Sequence, residues 1–146
     1  MEQALTVLVV DDSEAMRMIL AAILKSRGHD VVLAEGVDRA LDLLEVQRPD
    51  IILTDYNMPD QKGSDLVRRV RGRRAFDNTP VLVVSSEEAP EIRSQMAAAG
   101  ANGWIAKPVC ASLLLSVIDA AETGLADHVG VRASTPSPGP GQLSYR

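Results

Sequence analysis

The chain has little of what several kinds of protein are built from. It holds one cysteine, Cys110, which excludes an intramolecular disulfide framework and fits a reducing compartment. Aromatic residues make up 3% of a chain that is 46% hydrophobic, so its core has to be packed from aliphatic side chains. No apolar run approaches the roughly 20 residues needed to span a bilayer. Met1-Glu2-Gln3-Ala4 offers no basic n-region, and residues 5–10 are too short an apolar stretch for a secretory signal. These absences point to a cytoplasmic protein with no membrane partner. Bases are also in deficit, 15 Lys and Arg against 20 Asp and Glu, a net charge of −5. Because Asp127, Arg132 and Arg146 are the only charges after residue 123, the acidity sits in the part before them. Such a domain is a poor general binder of nucleic acid, which needs clustered cations to neutralise phosphates. The one basic cluster, Arg68, Arg69, Arg71, Arg73 and Arg74, reads as a solvated helix end, where cations are favoured.

What is present is a set of five short aliphatic runs. Residues 5–10, 31–34, 51–55, 81–85 and 103–106 are rich in Val, Ile and Leu, the composition of strands buried on both faces. Helical spacing fills the intervals. Met16, Ile19, Leu20, Ile23 and Leu24 mark a helix over 14–27 that stops at Gly28. Val37, Ala40, Leu41 and Leu44 mark one over 37–47, and Leu66, Val67 and Val70 one over 64–71. A weakly apolar helix over 90–99 has only Ile92 and Met96 as large anchors, which predicts a mobile element; the last helix runs over 110–123. Five β-α units predict an α/β fold, a doubly wound five-stranded parallel sheet over residues 1–123 with helices on both faces. Residues 124–146 lose the pattern and, with Ser134-Thr135-Pro136-Ser137-Pro138-Gly139-Pro140-Gly141, predict a flexible Pro/Gly/Ser-rich tail.

The runs end in chemistry. Asp11 and Asp12 close the first, Asp55 the third, Ser85 and Ser86 the fourth and Lys107 the fifth. In an open parallel sheet the C-terminal strand ends converge on one crevice, where ligands bind. Three carboxylates, a lysine and a hydroxyl would therefore share one edge. Each pair of like charges about 4 Å apart costs roughly 4 kcal/mol at an effective dielectric of 20. Protonating one acid relieves this, and so does a divalent cation; all-oxygen ligation with room for water is what Mg²⁺ prefers. Lysine is a good point charge for phosphate, and a serine hydroxyl can bond a phosphoryl oxygen. The set suits phosphoryl transfer, in which positioning and charge neutralisation supply most of the catalysis. Taken singly the residues have plainer roles: Asp12-Ser13-Glu14 suits a helix cap, Asp55 and Lys107 are ordinary loop residues near prolines, and Trp104 suits a core. Their joint order is what carries the reading.

Val9-Val10-Asp11-Asp12, Asp55-Tyr56-Asn57-Met58-Pro59 with Gly63, Val84-Ser85-Ser86-Glu87 and Lys107-Pro108 resemble the receiver domain of two-component response regulators over about residues 5–122. Within that family the chain is most similar to single-domain, CheY-like chemotaxis regulators. The resemblance implies a flavodoxin-like strand order 2-1-3-4-5. It implies that Asp55 accepts a phosphoryl group from the phosphohistidine of a sensor histidine kinase or phosphotransfer protein. Mg²⁺ would be held by Asp12 and Asp55 through their side chains, by Asp11 mainly through water, and by the Asn57 carbonyl. Lys107 would pair with the phosphoryl group, Ser85 would turn its hydroxyl to it, and Trp104 would be the aromatic that swings inward. Asn57 and Glu87 would tune autodephosphorylation and keep the signal short-lived. Lys107-Pro108 would be a cis peptide, physically reasonable before proline. Such a protein assists its own phosphorylation without being a conventional enzyme, and passes its signal to a downstream protein by contact. On the last helix, Leu114, Ile118 and Ala121 would face the core. Cys110, Leu113 and Val117, with Leu115 near by, would form a docking stripe for a partner or a weak dimer.

Three departures from the family pattern are visible. Ser85 replaces the commoner Thr, Trp104 is bulkier than Tyr or Phe, and Asp60-Gln61-Lys62 stands where an acid often precedes the glycine, so the loop after Asp55 should pack differently. Rival α/β chemistries fit less well. A dinucleotide or flavin site needs a Gly-rich turn after the first strand, where Asp11-Asp12-Ser13 would repel phosphate. A haloacid-dehalogenase-like phosphatase wants an acid where Asn57 stands. A phosphorelay intermediate, a phosphate sink and a degenerate receiver that only binds share this sequence pattern; the intact acids and Lys107 speak against the last.

Overall fold

The computed structural model describes residues 4–59, 61–86, 89–122 and 129–131. In chain order it has β1 Thr6–Val10, α1 Glu14–Ser26, β2 Asp30–Ala34, α2 Val37–Leu44, β3 Ile51–Asp55 and α3 Gly63–Arg71. A 3-10 turn at Arg74–Phe76 follows, then β4 Val81–Ser85, α4 Pro90–Ala99, β5 Gly103–Ala106, α5 Ala111–Glu122 and β6 Val129–Val131. All strand pairs are parallel, in the order β2-β1-β3-β4-β5-β6. The expected order 2-1-3-4-5 is therefore present, flanked by one further strand.

That strand adds to the five expected and falls within residues 124–146. Val129–Val131 ladders onto β5, with Trp104 opposite Gly130. An edge strand presents a row of unpaired N–H and C=O groups, and three residues suffice to cap so short an edge. The Ser/Pro/Gly run that motivated the tail lies outside the described residues.

The pleat sorts alternate residues to two cores. Leu8, Val10, Ile52, Val81 and Val83 face α2, α3 and α4, joined by Tyr56, Met58, Phe76 and Met96. Val7, Val9, Ile51, Leu53, Leu82, Val84 and Ile105 face Leu20 and Leu24 of α1 and Leu114 and Ile118 of α5. Every residue of β3 and β4 is buried, whereas β2 at the edge keeps Asp30 and Leu33 exposed. Continuous apolar runs thus mark the middle of the sheet, as burial on both faces requires.

Two surface expectations change. Leu114, Ile118 and Ala121 are buried as expected, but Val117 is buried with them, and Cys110 and Leu113 pack against the same cluster. Because α5 lies beside α1 on the sheet face opposite α4, Val117 drops out of the expected docking stripe, while Cys110, Leu113 and Leu115 remain half-buried. Arg71 is not a solvated helix end either. Its half-buried guanidinium donates to the carbonyls of Gly100, Phe76 and Thr79 and to Asn102 Oδ1, at 2.7–3.0 Å. Burial lowers its pKa, and the four acceptors account for a charge being kept there. Among the described residues no helix is long and apolar enough to cross a membrane.

Candidate functional site

Three strand ends deliver the acids. Asp11 follows β1, its backbone N–H bonded to Ala34 O at 3.1 Å across the β2 edge, and its side chain is buried. Its Oδ1 accepts the Ser13 N–H at 2.9 Å, while Ser13 Oγ accepts the Met16 N–H at 3.2 Å and caps α1. Helix capping is thus the work of Ser13, and Asp12 is left exposed with its carboxylate uncommitted to the cap. Asp55 is the last residue of β3 and is 8% exposed. Carboxylate oxygens of Asp11, Asp12 and Asp55 all lie within 4.8 Å of one another.

Lys107, the first residue after β5, reaches across the sheet end. Its Nζ lies 3.4 Å from Asp11 Oδ2 and 3.5 Å from Asp55 Oδ1. Its backbone N–H donates to Ser85 O at 3.0 Å, and the Lys107–Pro108 bond is cis. Ser85, ending β4, is buried beside it. Burial pushes the Asp55 pKa up; Lys107 works against that shift, and the charge of Asp11 adds to it. One cation between two buried carboxylates leaves the cluster net negative, with a hard, oxygen-only donor set. The donor chemistry and spacing of Asp11, Asp12 and Asp55 fit Mg²⁺.

The loop after Asp55 is held against the site. Gly63 N–H donates to Tyr56 O at 2.7 Å, and Asn57 pairs with Lys62 in an isolated antiparallel bridge. A Cβ on Gly63 would overlap the carbonyl oxygen of Asp55, so only glycine lets α3 begin this close to the acid. Lys62 Nζ donates to Asn57 Oδ1 at 2.9 Å and stands 5.4 Å from the centre of the Tyr56 ring. Tyr56 is buried, and its hydroxyl pairs with Gln95 Oε1 of α4 at 3.0 Å. Trp104, near the start of β5, is half-buried against the α3–α4 side of the core. The guanidinium of Arg93 lies 3.9 Å from its ring centre. A cleft of about 170 Å³ lies between α4 and β5, lined by these two residues and by Met96 and Asn102.

Asp11, Asp12, Asp55, Lys107 and Ser85 thus converge at one sheet end, with Asn57 on its exposed rim, while Trp104 lies one strand-length away and Glu87 falls outside the described residues. Sequence reasoning missed Lys62, Tyr56 and Arg93. The departure before Gly63 signalled Lys62; Tyr56, next to Asp55, and Arg93, one helical turn before Met96, carried no signal apart from their neighbours.

Comparison with known proteins places this geometry. The model of the response regulator receiver domain matches residues 7–119. A CheY homolog of Campylobacter jejuni is 38% identical over 109 residues, which cover 73% of this chain and 84% of that protein. The sensory/regulatory protein RpfC of Xanthomonas campestris is 35% identical over 118 residues, 80% of this chain, although the chain spans only 16% of RpfC. The solved structure of the chemotaxis response regulator CheY4 of Vibrio cholerae superposes with a TM-score of 0.77 at 33% identity, covering 82% of this chain and 99% of that one. Sequence, fold and acid cluster agree, and the chain belongs to the response regulator receiver domain family as a CheY-like receiver.

Proposed function

We propose that this receiver is a phosphorylation-driven switch whose acceptor is Asp55. The observation that carries the reading is the convergence of three carboxylates within 4.8 Å with Lys107 set between two of them. Asp11, Asp12 and Asp55, with the Asn57 carbonyl, would hold Mg²⁺, which supplies neutralisation of the charge on the phosphoryl oxygens. The chain's own residues do the rest. A carboxylate oxygen of Asp55 attacks the phosphorus of a phosphohistidine on a histidine kinase or phosphotransfer protein. The phosphorus–nitrogen bond breaks and the imidazole leaves with the electron pair. The Lys107 ammonium then pairs with a phosphoryl oxygen, and the Ser85 hydroxyl bonds another. Trp104 follows Ser85 and alters the surface it shares with Arg93 and α4, which a downstream protein reads. Phosphorelay and phosphate-sink roles use the same chemistry and differ only in that partner.

The test is intact-protein mass after incubation with acetyl phosphate and Mg²⁺, with Trp104 fluorescence followed in parallel. One phosphoryl group gained by the wild type and none by Asp55→Asn is the expected result, with a fluorescence change at each of the two additions. A protein that gains none, or gains it equally in Asp55→Asn, overturns the reading.

A further inference from the structure

Helix α4 is fastened unevenly. Of its ten residues Met96 and Ala99 are buried, both in its C-terminal half, and the carbonyl of Gly100 just beyond accepts from Arg71 Nε at 3.0 Å. Among the described residues the first turn has less to hold it. Its N-cap is Ala89, whose methyl cannot accept from the helix's free N–H groups, and Ile92 is half-buried. The shorter α2, by contrast, buries Val37, Ala40, Leu41 and Leu44 along its whole length. A helix with few apolar contacts at one end opens from that end.

Two aromatic side chains meet the looser part of α4. Tyr56 is 6% exposed, its ring in the core shared with Met58 and Met96, and its hydroxyl donates to Gln95 Oε1 at 3.0 Å. Gln95 lies on the core-facing side of the helix, at helical spacing from Ile92 and Ala99. Arg93 turns towards β5, where its guanidinium covers the Trp104 ring at 3.9 Å beside the cleft of about 170 Å³. Tyr56 is itself a fixed post. It follows Asp55 directly, its carbonyl accepts the Gly63 N–H at 2.7 Å, and its N–H is among the groups that favour the ionised Asp55 carboxylate. When the hydroxyl bond opens, the helix is the part that moves.

We propose that Tyr56 is a positioning residue of the switch: through Gln95 it holds α4 where Arg93 covers Trp104, and so resists the turning of the indole. The inference rests on the proposed function, in which phosphorylation of Asp55 turns Trp104. An indole that turns must leave the guanidinium, and the cleft between α4 and β5 lies beside it to receive the ring. Whatever fastens that cover favours the resting state. Linkage makes the effect reciprocal, so loosening the cover tightens any ligand that binds the turned state. Beryllofluoride, which takes the place of a phosphoryl group on a carboxylate, is such a ligand.

The experiment reads Trp104, the single tryptophan, in wild type, Tyr56→Phe, Gln95→Met, Gln95→Glu and the double variant Tyr56→Phe/Gln95→Met. Acrylamide quenching of the resting protein is measured first, then a beryllofluoride titration in Mg²⁺. Tyr56→Phe keeps the ring in the core and leaves the exposed Gln95 to water, so the fold is not at stake. Tyr56→Phe and Gln95→Met should each quench more readily and bind beryllofluoride about two- to tenfold tighter, the range one neutral hydrogen bond spans. Gln95→Glu keeps an acceptor and should match wild type, and the double variant should match the singles. Unchanged or weaker binding in Tyr56→Phe overturns the proposal, weaker binding being the mark of a merely structural role. Additive effects in the double variant overturn it too, as does tighter binding without a change in quenching. A wild type that does not respond to beryllofluoride removes the functional reading and this one together, whereas a response indifferent to Tyr56 removes only this one.

Discussion

The two ends of the sheet hold buried charge in opposite ways. At the N-terminal end of β4 and β5, the Arg71 guanidinium meets four acceptors drawn from the 3-10 turn, the strand approaches and the end of α4. Asn102 is shared further, its Oδ1 also accepting the Val81 N–H at 2.8 Å. At the C-terminal end, Asp11 and Asp55 are buried with, among the described residues, a single cation at 3.4–3.5 Å and a third carboxylate near by. One end has its charge answered by the fold; the other leaves it for something that arrives. The first is a structural joint and the second, on the proposed function, a binding site, although a count of ionisable groups would not separate them.

The contrast predicts mutations of opposite sign. The largest stability effect should come from Arg71→Met, which strands three carbonyls and Asn102 at once. It should lower the unfolding free energy by about 2–4 kcal/mol, read by urea denaturation. An Arg71 variant as stable as wild type would break the comparison. Next is Gly100→Ala. Gly100 ends α4 at φ +113°, and a Cβ there would meet Arg71 Cγ at 2.6 Å, so the substitution should cost about 1–3 kcal/mol. At the other end, removing charge should help. Asp55→Asn should raise the melting temperature of the metal-free protein, because burial and Asp11 disfavour the ionised acid. The sign with pH follows from the raised pKa. Between the ordinary carboxylate range and the raised value the folded state holds the extra proton, so wild-type stability falls as pH rises through that window, and Asp55→Asn loses this slope. Added Mg²⁺ should stabilise wild type more than Asp55→Asn, by binding the folded state alone. The smallest effect belongs to the surface: Arg73→Ala, which removes an exposed pair with Glu45 at 2.6 Å, should change stability by less than about 1 kcal/mol.

The sequence was readable where one property decided the outcome. Strands β3 and β4 are uninterrupted aliphatic runs because both their faces are covered, and the polar residues that stop them mark the sheet end directly. Asp11, Asp12, Asp55, Ser85 and Lys107 are therefore legible in the sequence as belonging to one edge. The misreadings arose where a residue's role depends on a distant neighbour. Arg71 sits among arginines that do face solvent, and only the fold brings Gly100 and Asn102 to it. Val117 lies on a helix apolar over more than one face, so spacing alone could not say that α1 would cover it. Val129–Val131 is three residues with a central glycine, too short to register as a strand until β5 offers an open edge. Lys62 was noticed as a departure, but its hold on Asn57 needs the loop to fold back, which Gly63 permits.

On the proposed function, the added strand also bears on how a signal would leave the site. Trp104 has Val83 on one side and Gly130 on the other, so its backbone is laddered from both directions. A residue fixed in that way has only its side-chain torsions to give. Whatever news Asp55 generates would cross this part of the molecule as the turning of an indole under an arginine, a rotation with no sliding of strands, and a partner would read it as a change of surface contour.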